Sequence, residues 1–267
     1  MPTYIKNYLA TLLVNTHAQL DLDLVSHMQA AHLAQYSFSS INALQDKVLS
    51  LEPKILFERL IEQREGGYCF EHNKIFHLAL EALGFDVKIL IGRVMLNGQT
   101  QNPRSHRLIL LTLDNKQYLI DVGFGVSTPI IPLPIDKSGL HQQGVNTYQV
   151  KRTDNFIEVK QTQPELKYIY RIELGEFYES DCEIAHFYSH QHQSAAFVNN
   201  LVVSRIADSE RFLIRNNQYF YWNEKNKHST ELAITSSAQL YQLITEVFKI
   251  QVPETFVEKL FKCKLAA

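Results

Sequence analysis

Two of the chain's ten glycines are adjacent, Gly66-Gly67, and they stand directly before Tyr68-Cys69-Phe70-Glu71-His72-Asn73. A glycine pair lets the backbone take conformations closed to other residues and lets another group approach it closely. If Cys69 opens a helix, its sulfur meets the unpaired N–H groups and positive dipole end of the first turn, which favour a thiolate nucleophile. A free cysteine is more often a small buried residue, so the chemistry depends on a base. His106 and Asp121 frame Asp114-Asn115, the composition of a two-residue hairpin turn. If Leu113 pairs with Lys116, His106 lies opposite Gly123 and Asp121 opposite Leu108. Imidazole and carboxylate then share a face as diagonal neighbours, with backbones about 7–8 Å apart. A three-residue turn would put them on opposite faces. Asp121, set in Tyr-Leu-Ile-Asp-Val, needs water or a buried partner, and His106 is the nearest candidate.

A carboxylate that accepts from one imidazole nitrogen fixes the tautomer and leaves the other nitrogen to take a proton from a thiol. Cys69, His106 and Asp121 are therefore a coherent nucleophilic triad, if the elements carrying them meet. Before residue 85 the apolar spacing is helical: Leu24, Val25, Met28 and His32; Ile41, Leu44, Val48 and Leu51; then Pro53 opening Ile55, Leu56 and Leu60. Cys69, Asn73, Phe76, Leu80 and Leu83 predict a helix over 69–83, with Gly84 as its C-terminal cap. From Val87 come short β-rich runs, 87–94, 107–113, 118–122, 147–150, 156–160 and 167–172. Asn216-Asn217 marks a later hairpin, and helical patterns at 236–249 and 253–264 follow, Pro253 taking the first helical position. The expected fold is α+β in a papain-like cysteine-enzyme arrangement. An N-terminal helical bundle (1–85) carries the cysteine, an antiparallel β-barrel-like middle (86–190) carries His and Asp, and a mixed αβ lid (191–267) closes the chain.

Composition narrows the class. With 26 Lys+Arg against 28 Asp+Glu and a net charge of −2, no basic field is available to hold a nucleic acid. No apolar stretch reaches the roughly 18 residues of a membrane span, and the run 8–14 lacks a cleavage pattern, so neither membrane nor secretion is expected. Three cysteines, Cys69, Cys182 and Cys263, form no CxxC, which favours the cytoplasm. Cys182, His186 and His190 would share a helical face, with His192 nearby, but aromatics interleave and no second cysteine pair exists, so no metal is expected. Aromatic residues are 11% of the chain, enough for a large core, an aromatic-lined pocket, or both.

These residues resemble those of the arylamine N-acetyltransferases. The matching blocks are Gly66-Gly67-Tyr68-Cys69-Phe70-Glu71-His72-Asn73, Pro103-Arg104-Ser105-His106-Arg107-Leu108 and Leu119-Ile120-Asp121-Val122-Gly123-Phe124-Gly125. The resemblance implies that Cys69 carries the acyl group, His106 acts as base and Asp121 orients it. It also implies that Phe124, with Phe38 and Phe197, lines the site of the aromatic amine. Tyr68, next to the nucleophile, is placed with the substrate; Arg104, on the loop 97–105, and Gly125 are placed with the coenzyme; Tyr36 is read as packing. The implied reaction is a ping-pong transfer of acetyl from acetyl-CoA, as co-substrate, through a cysteine thioester to an arylamine or arylhydrazine. The alternatives are an amide synthase of the same family using a bulkier thioester, or a papain- or transglutaminase-like hydrolase. The chain departs from the family at Glu65, at Ser37-Phe38-Ser39-Ser40-Ile41-Asn42, and at Gln193-Ser194-Ala195-Ala196-Phe197.

Overall fold

A computed structural model describes residues 1–45 and 47–265. Helices come first: α1 (Thr3–Thr11), α2 (Leu22–Gln35), α3 (Pro53–Phe57), which continues as a π turn over Glu58–Glu62, and α4 (Cys69–Leu83). A two-residue strand, β1 (Phe38–Ser39), interrupts them. Eight strands follow: β2 (Asp86–Val94), β3 (Arg104–Leu113), β4 (Lys116–Ile120), β5 (Leu133–Pro134), β6 (Gly139–Gln143), β7 (Asn146–Arg152), β8 (Phe156–Gln163) and β9 (Lys167–Glu173). The chain closes with α5 (Glu179–Gln191), α6 (Ala196–Asn199), β10 (Val202–Ala207), β11 (Glu210–Arg215), β12 (Gln218–Asn223), β13 (His228–Ala233), α7 (Ser237–Gln242) and α8 (Glu254–Leu260).

The eight strands make one antiparallel, barrel-like sheet in the order β5-β4-β3-β2-β9-β8-β7-β6. Strand alternation divides its side chains between two cores. Leu90, Leu108, Leu119, Val150, Val159 and Ile172 fill the inside, while Ile91, Ile109, Leu111 and Ile120 join the core of the N-terminal helices. The second sheet runs β1-β10-β11-β12-β13, and α7 and α8 cover one face of it through Val203, Ile214, Leu240, Ile244, Phe248 and Val257. The α+β architecture is the expected one.

Local expectations fared unevenly. Helix α4 spans Cys69–Leu83, and Gly84 caps it in the left-handed region at φ 104°. Among the described residues of the 41–51 pattern the one helical piece is a 3-10 turn, Ala43–Gln45. The pattern's apolar residues serve different cores, Ile41 the C-terminal one and Leu49 and Leu51 the N-terminal one, while Val48 is exposed. Pro253 sits at the N-cap of α8 rather than at its first helical position. Both C-terminal helices finish as π turns, Leu243–Val247 and Phe261–Leu265.

Candidate active site

The hairpin positions the first pair. Leu113 pairs with Lys116, and Asp114 and Asn115 both take positive φ, 51° and 60°, the two left-handed residues of a type I′ turn. The β3–β4 ladder ends at Ile109↔Ile120, so Asp121 lies one residue past it, where the carboxylate turns back toward His106. His106 Nε2 donates to Asp121 Oδ2 at 2.7 Å, with the two side chains 2% and 1% exposed. The other carboxylate oxygen, Oδ1, accepts from Asn73 Nδ2 at 3.0 Å and from the Gly123 amide at 2.8 Å. No oxygen of this buried acid is left without a donor.

The glycine pair positions the cysteine. Gly66 has φ 73°, and a Cβ there would lie 2.9 Å from Ser39 Cβ. At Gly67 a Cβ would lie 2.6 Å from Leu60 Cδ2 and 3.0 Å from Glu71 Oε2. That space lets Glu71 reach back and accept from the Tyr68 amide at 3.1 Å, half of a capping box, while Arg59 neutralises its carboxylate. Helix α4 thus begins at Cys69, and the first amide bonded within it is that of Glu71, to Tyr68 O at 3.0 Å. The hairpin accepts the helix end because residue 123 is glycine: a Cβ there would come within 2.6 Å of Cys69 Cα.

Asn73, one turn after Cys69, latches the two elements together. It donates to Arg107 O at 2.7 Å and to Asp121 Oδ1, and accepts from the Val122 amide at 2.9 Å. The Cys69 thiol lies 3.6 Å from Ser105 O, the carbonyl next to His106. Burial would lower the imidazole pKa, but the charges of Asp121 and Cys69 outweigh it and push His106 up to about 10. The ring is therefore an imidazolium at neutral pH, held by Asp121 through Nε2, with Nδ1 left for the sulfur. Such a set can pass a proton between thiol and ring while the carboxylate holds the ring's orientation.

Aromatic rings surround these groups. Tyr170 stacks on His106 with centroids 5.6 Å apart, and Phe124 stands edge-on to both, 5.2 Å from His106 and 5.5 Å from Tyr170. Phe38 and Phe197 meet at 5.6 Å, and Gly125 packs against Phe38 and Ser204. Tyr68 does not take the substrate-facing place expected of it. Its ring is 1% exposed, its hydroxyl donates to His186 Nδ1 at 2.6 Å, and it backs Phe197 at 5.3 Å. Tyr36 is buried against Thr11, whose hydroxyl lies 2.6 Å from its own. Arg104 pairs with Glu173 at 3.1 Å.

The residues weighed as metal ligands have other partners. His186 Nε2 donates to Leu49 O at 2.8 Å, and His190 Nε2 accepts from the Leu49 amide at 3.1 Å. Burial lowers His186 to about 3 and raises the Cys182 thiol to about 11, so both are neutral. Among the described residues no group of three or more His, Cys, Asp or Glu is placed to hold a metal.

Asn73 and Gly123 belonged to the quoted blocks but carried no assigned role. Their signal was the four-residue spacing from Cys69 and the position opposite His106. Tyr170 and Gln29, which donates to Asp121 O at 3.2 Å, had no local signal.

Comparison with known proteins finds relatives over most of the chain. A family model described as N-acetyltransferase matches residues 21–257. The chain is 27% identical over 258 residues to the arylamine N-acetyltransferase of Escherichia coli (strain K12), covering 95% of this chain and 91% of that protein. It is 28% identical over 252 residues to an arylamine N-acetyltransferase / N-hydroxyarylamine O-acetyltransferase of Salmonella typhimurium, covering 92% and 90%. In fold it is similar to the solved arylamine N-acetyltransferase from Salmonella typhimurium, with TM-score 0.90 at 24% identity, covering 98% of this chain and 99% of that one. It is likewise similar to the Mycobacterium marinum arylamine N-acetyltransferase in complex with CoA, with TM-score 0.88 at 21% identity, covering 96% and 97%.

Proposed function

The chain belongs to the arylamine N-acetyltransferase family and is an acyltransferase, and from that premise we propose that it moves acetyl from acetyl-CoA to an arylamine or arylhydrazine through a thioester on Cys69. The observation that carries this reading is the buried His106–Asp121 pair, with Cys69 at the start of α4 against the carbonyl of Ser105, the residue before His106. With its proton already on His106 Nδ1, the Cys69 sulfur attacks the thioester carbonyl carbon as a thiolate. The tetrahedral oxyanion is held by amides of the first turn of α4; one such donor is worth about 3 kcal/mol. As the carbonyl re-forms, the bond to the coenzyme sulfur breaks and the imidazolium protonates the departing thiolate. His106, now neutral, accepts a proton from the amine as its nitrogen attacks the acetyl-cysteine. The C–N bond forms, the C–S bond breaks, and the imidazolium–thiolate pair is restored.

An arylamine suits this site because it is neutral near pH 7 and its ring can stack against Phe124, Phe38 and Phe197. Gly125, which takes φ 88° beside Phe38, and Arg104 are assigned to the coenzyme. Cys69, Cys182 and Cys263 are all free, and no described helix is long and apolar enough to cross a membrane; we place the reaction in the cytoplasm, where thiols stay reduced. Initial rates measured with acetyl-CoA and 4-aminosalicylate varied together should give parallel double-reciprocal lines, the pattern of a two-step exchange. Intersecting lines, or hydrolysis of the thioester with no acetylated amine, would reject it.

A further inference from the structure

Three arginines stand in a row across the barrel beside the reacting groups. Arg93 on β2 is the direct cross-strand partner of Arg104 on β3 and of Arg171 on β9. Like charges placed opposite each other destabilise a sheet, so the row needs anions. Glu173 supplies one, reached by Arg93 Nε at 2.8 Å, Arg104 Nε at 3.1 Å and Arg171 Nε at 3.7 Å. Glu158 supplies a second, 3.5 Å from Arg171 Nη1. Three cations against two carboxylates leave a positive excess, and the Arg104 side chain is 45% exposed.

Two of the three, Arg93 and Arg171, face a cavity that Arg104 adjoins through Arg93 without lining it. A space of about 380 Å³ is lined by Arg93, Thr100, Gln101, Arg171 and Glu173. Its loop wall is held in place: Asn102 donates to Val94 O at 2.6 Å, and Arg93 Nη1 donates to Asn102 O at 2.5 Å. The same segment leads to the nucleophile, because Ser105, the residue after Arg104, places its carbonyl 3.6 Å from Cys69 Sγ.

We propose that Arg93, Arg104 and Arg171, with the cavity under the 97–102 loop, form the site that binds the phosphate groups of the acyl donor, its thioester arm passing Ser105 to reach Cys69. Guanidinium forks match phosphate oxygens in pairs, and Thr100 and Gln101 add neutral donors. This rests on the reaction proposed above and extends it from the single Arg104 to a three-strand site.

The test compares two acetyl donors that generate the same acetyl-cysteine: acetyl-CoA, and p-nitrophenyl acetate, which has no phosphate. Arg171→Gln removes one cation of the row. Gln101→Glu adds a negative charge to the cavity wall from an exposed position and breaks no ion pair. Each should raise KM for acetyl-CoA about tenfold, the cost of one charge-assisted contact, with kcat within twofold and kinetics with p-nitrophenyl acetate unchanged. The rise in KM should shrink as salt is added. KM for acetyl-CoA unchanged in both variants, or equal losses with both donors, would overturn the site. A wild-type protein that takes acetyl from p-nitrophenyl acetate but never from acetyl-CoA would instead overturn the reaction on which the site rests.

Discussion

At the scale of single residues the centre of the site is one carboxylate with every oxygen satisfied. Asp121 is 1% exposed, and its two oxygens take three donors, from His106, Asn73 and the Gly123 amide. Its charge, with that of Cys69, outweighs burial and pushes His106 up to about 10. Asp121→Asn keeps the size and removes the charge. Because the folded pKa lies above the ordinary value of 6.5, the pair's contribution to stability is complete below about pH 6.5 and fades as pH rises toward 10. The variant should lose that pH-dependent decline in Tm, and its acetyl transfer should fall by roughly 10³- to 10⁴-fold, as when a triad histidine loses its orienting acid. A Tm profile over pH 6.5–10 with the wild-type slope would contradict this account of Asp121. The residue types were legible because an acid inside an apolar strand and a cysteine after two glycines are conspicuous in sequence. Tyr170 was not, since its stacking on His106 depends on how β9 is placed beside β2.

At the scale of elements, two pieces of local structure carry the proposed site and meet at one glycine. Helix α4 and the β3–β4 hairpin were readable because their signals are local: Gly84 stops the helix, and Asp114-Asn115 sets the register. What holds them together is not local. Asn73 bridges α4 to Arg107 O, Asp121 and the Val122 amide, and Gly123 lets Cys69 Cα approach where any Cβ would intrude. Gly123→Ala should force the end of α4 away from the hairpin. A displacement of about 1 Å at a reacting group can cost 100-fold in rate, while overpacking of this kind costs about 1–3 kcal/mol of stability. The expected variant is therefore folded, somewhat less stable, and at least about 100-fold slower; near-wild-type turnover would refute the close-contact role. The 41–51 segment shows the opposite case, in which helical spacing lost to the competing demands of two cores.

At the scale of the whole molecule, the helical core, the barrel interior and the C-terminal sheet are tied together by contacts distant in sequence. Strand β1 pairs with β10. Ser37 Oγ donates to Phe248 O at 2.5 Å, and the Gln251 amide to Arg64 O at 2.9 Å. Arg211 donates to Val126 O at 2.5 Å and pairs with Glu224, which also accepts from Asn146 at 2.9 Å. This stitching brings Phe38 and Phe197 together and Gly125 against Phe38, an assembly of residues that no spacing along the chain could specify. The α+β order was legible, and so was the pairing of His106 with Asp121 once the hairpin turn was read; the contact of Phe38 with Phe197 and the burial of Tyr68 against His186 were not, because they depend on how distant elements pack. The central claim is that the assembled molecule carries acetyl on one sulfur, and intact mass spectrometry tests it most directly. After incubation with acetyl-CoA alone the protein should gain about 42 Da, the mass of one acetyl replacing one hydrogen. The gain should be absent in Cys69→Ser and should disappear when 4-aminosalicylate is added. No gain in the wild type, or the same gain in Cys69→Ser, would contradict the account.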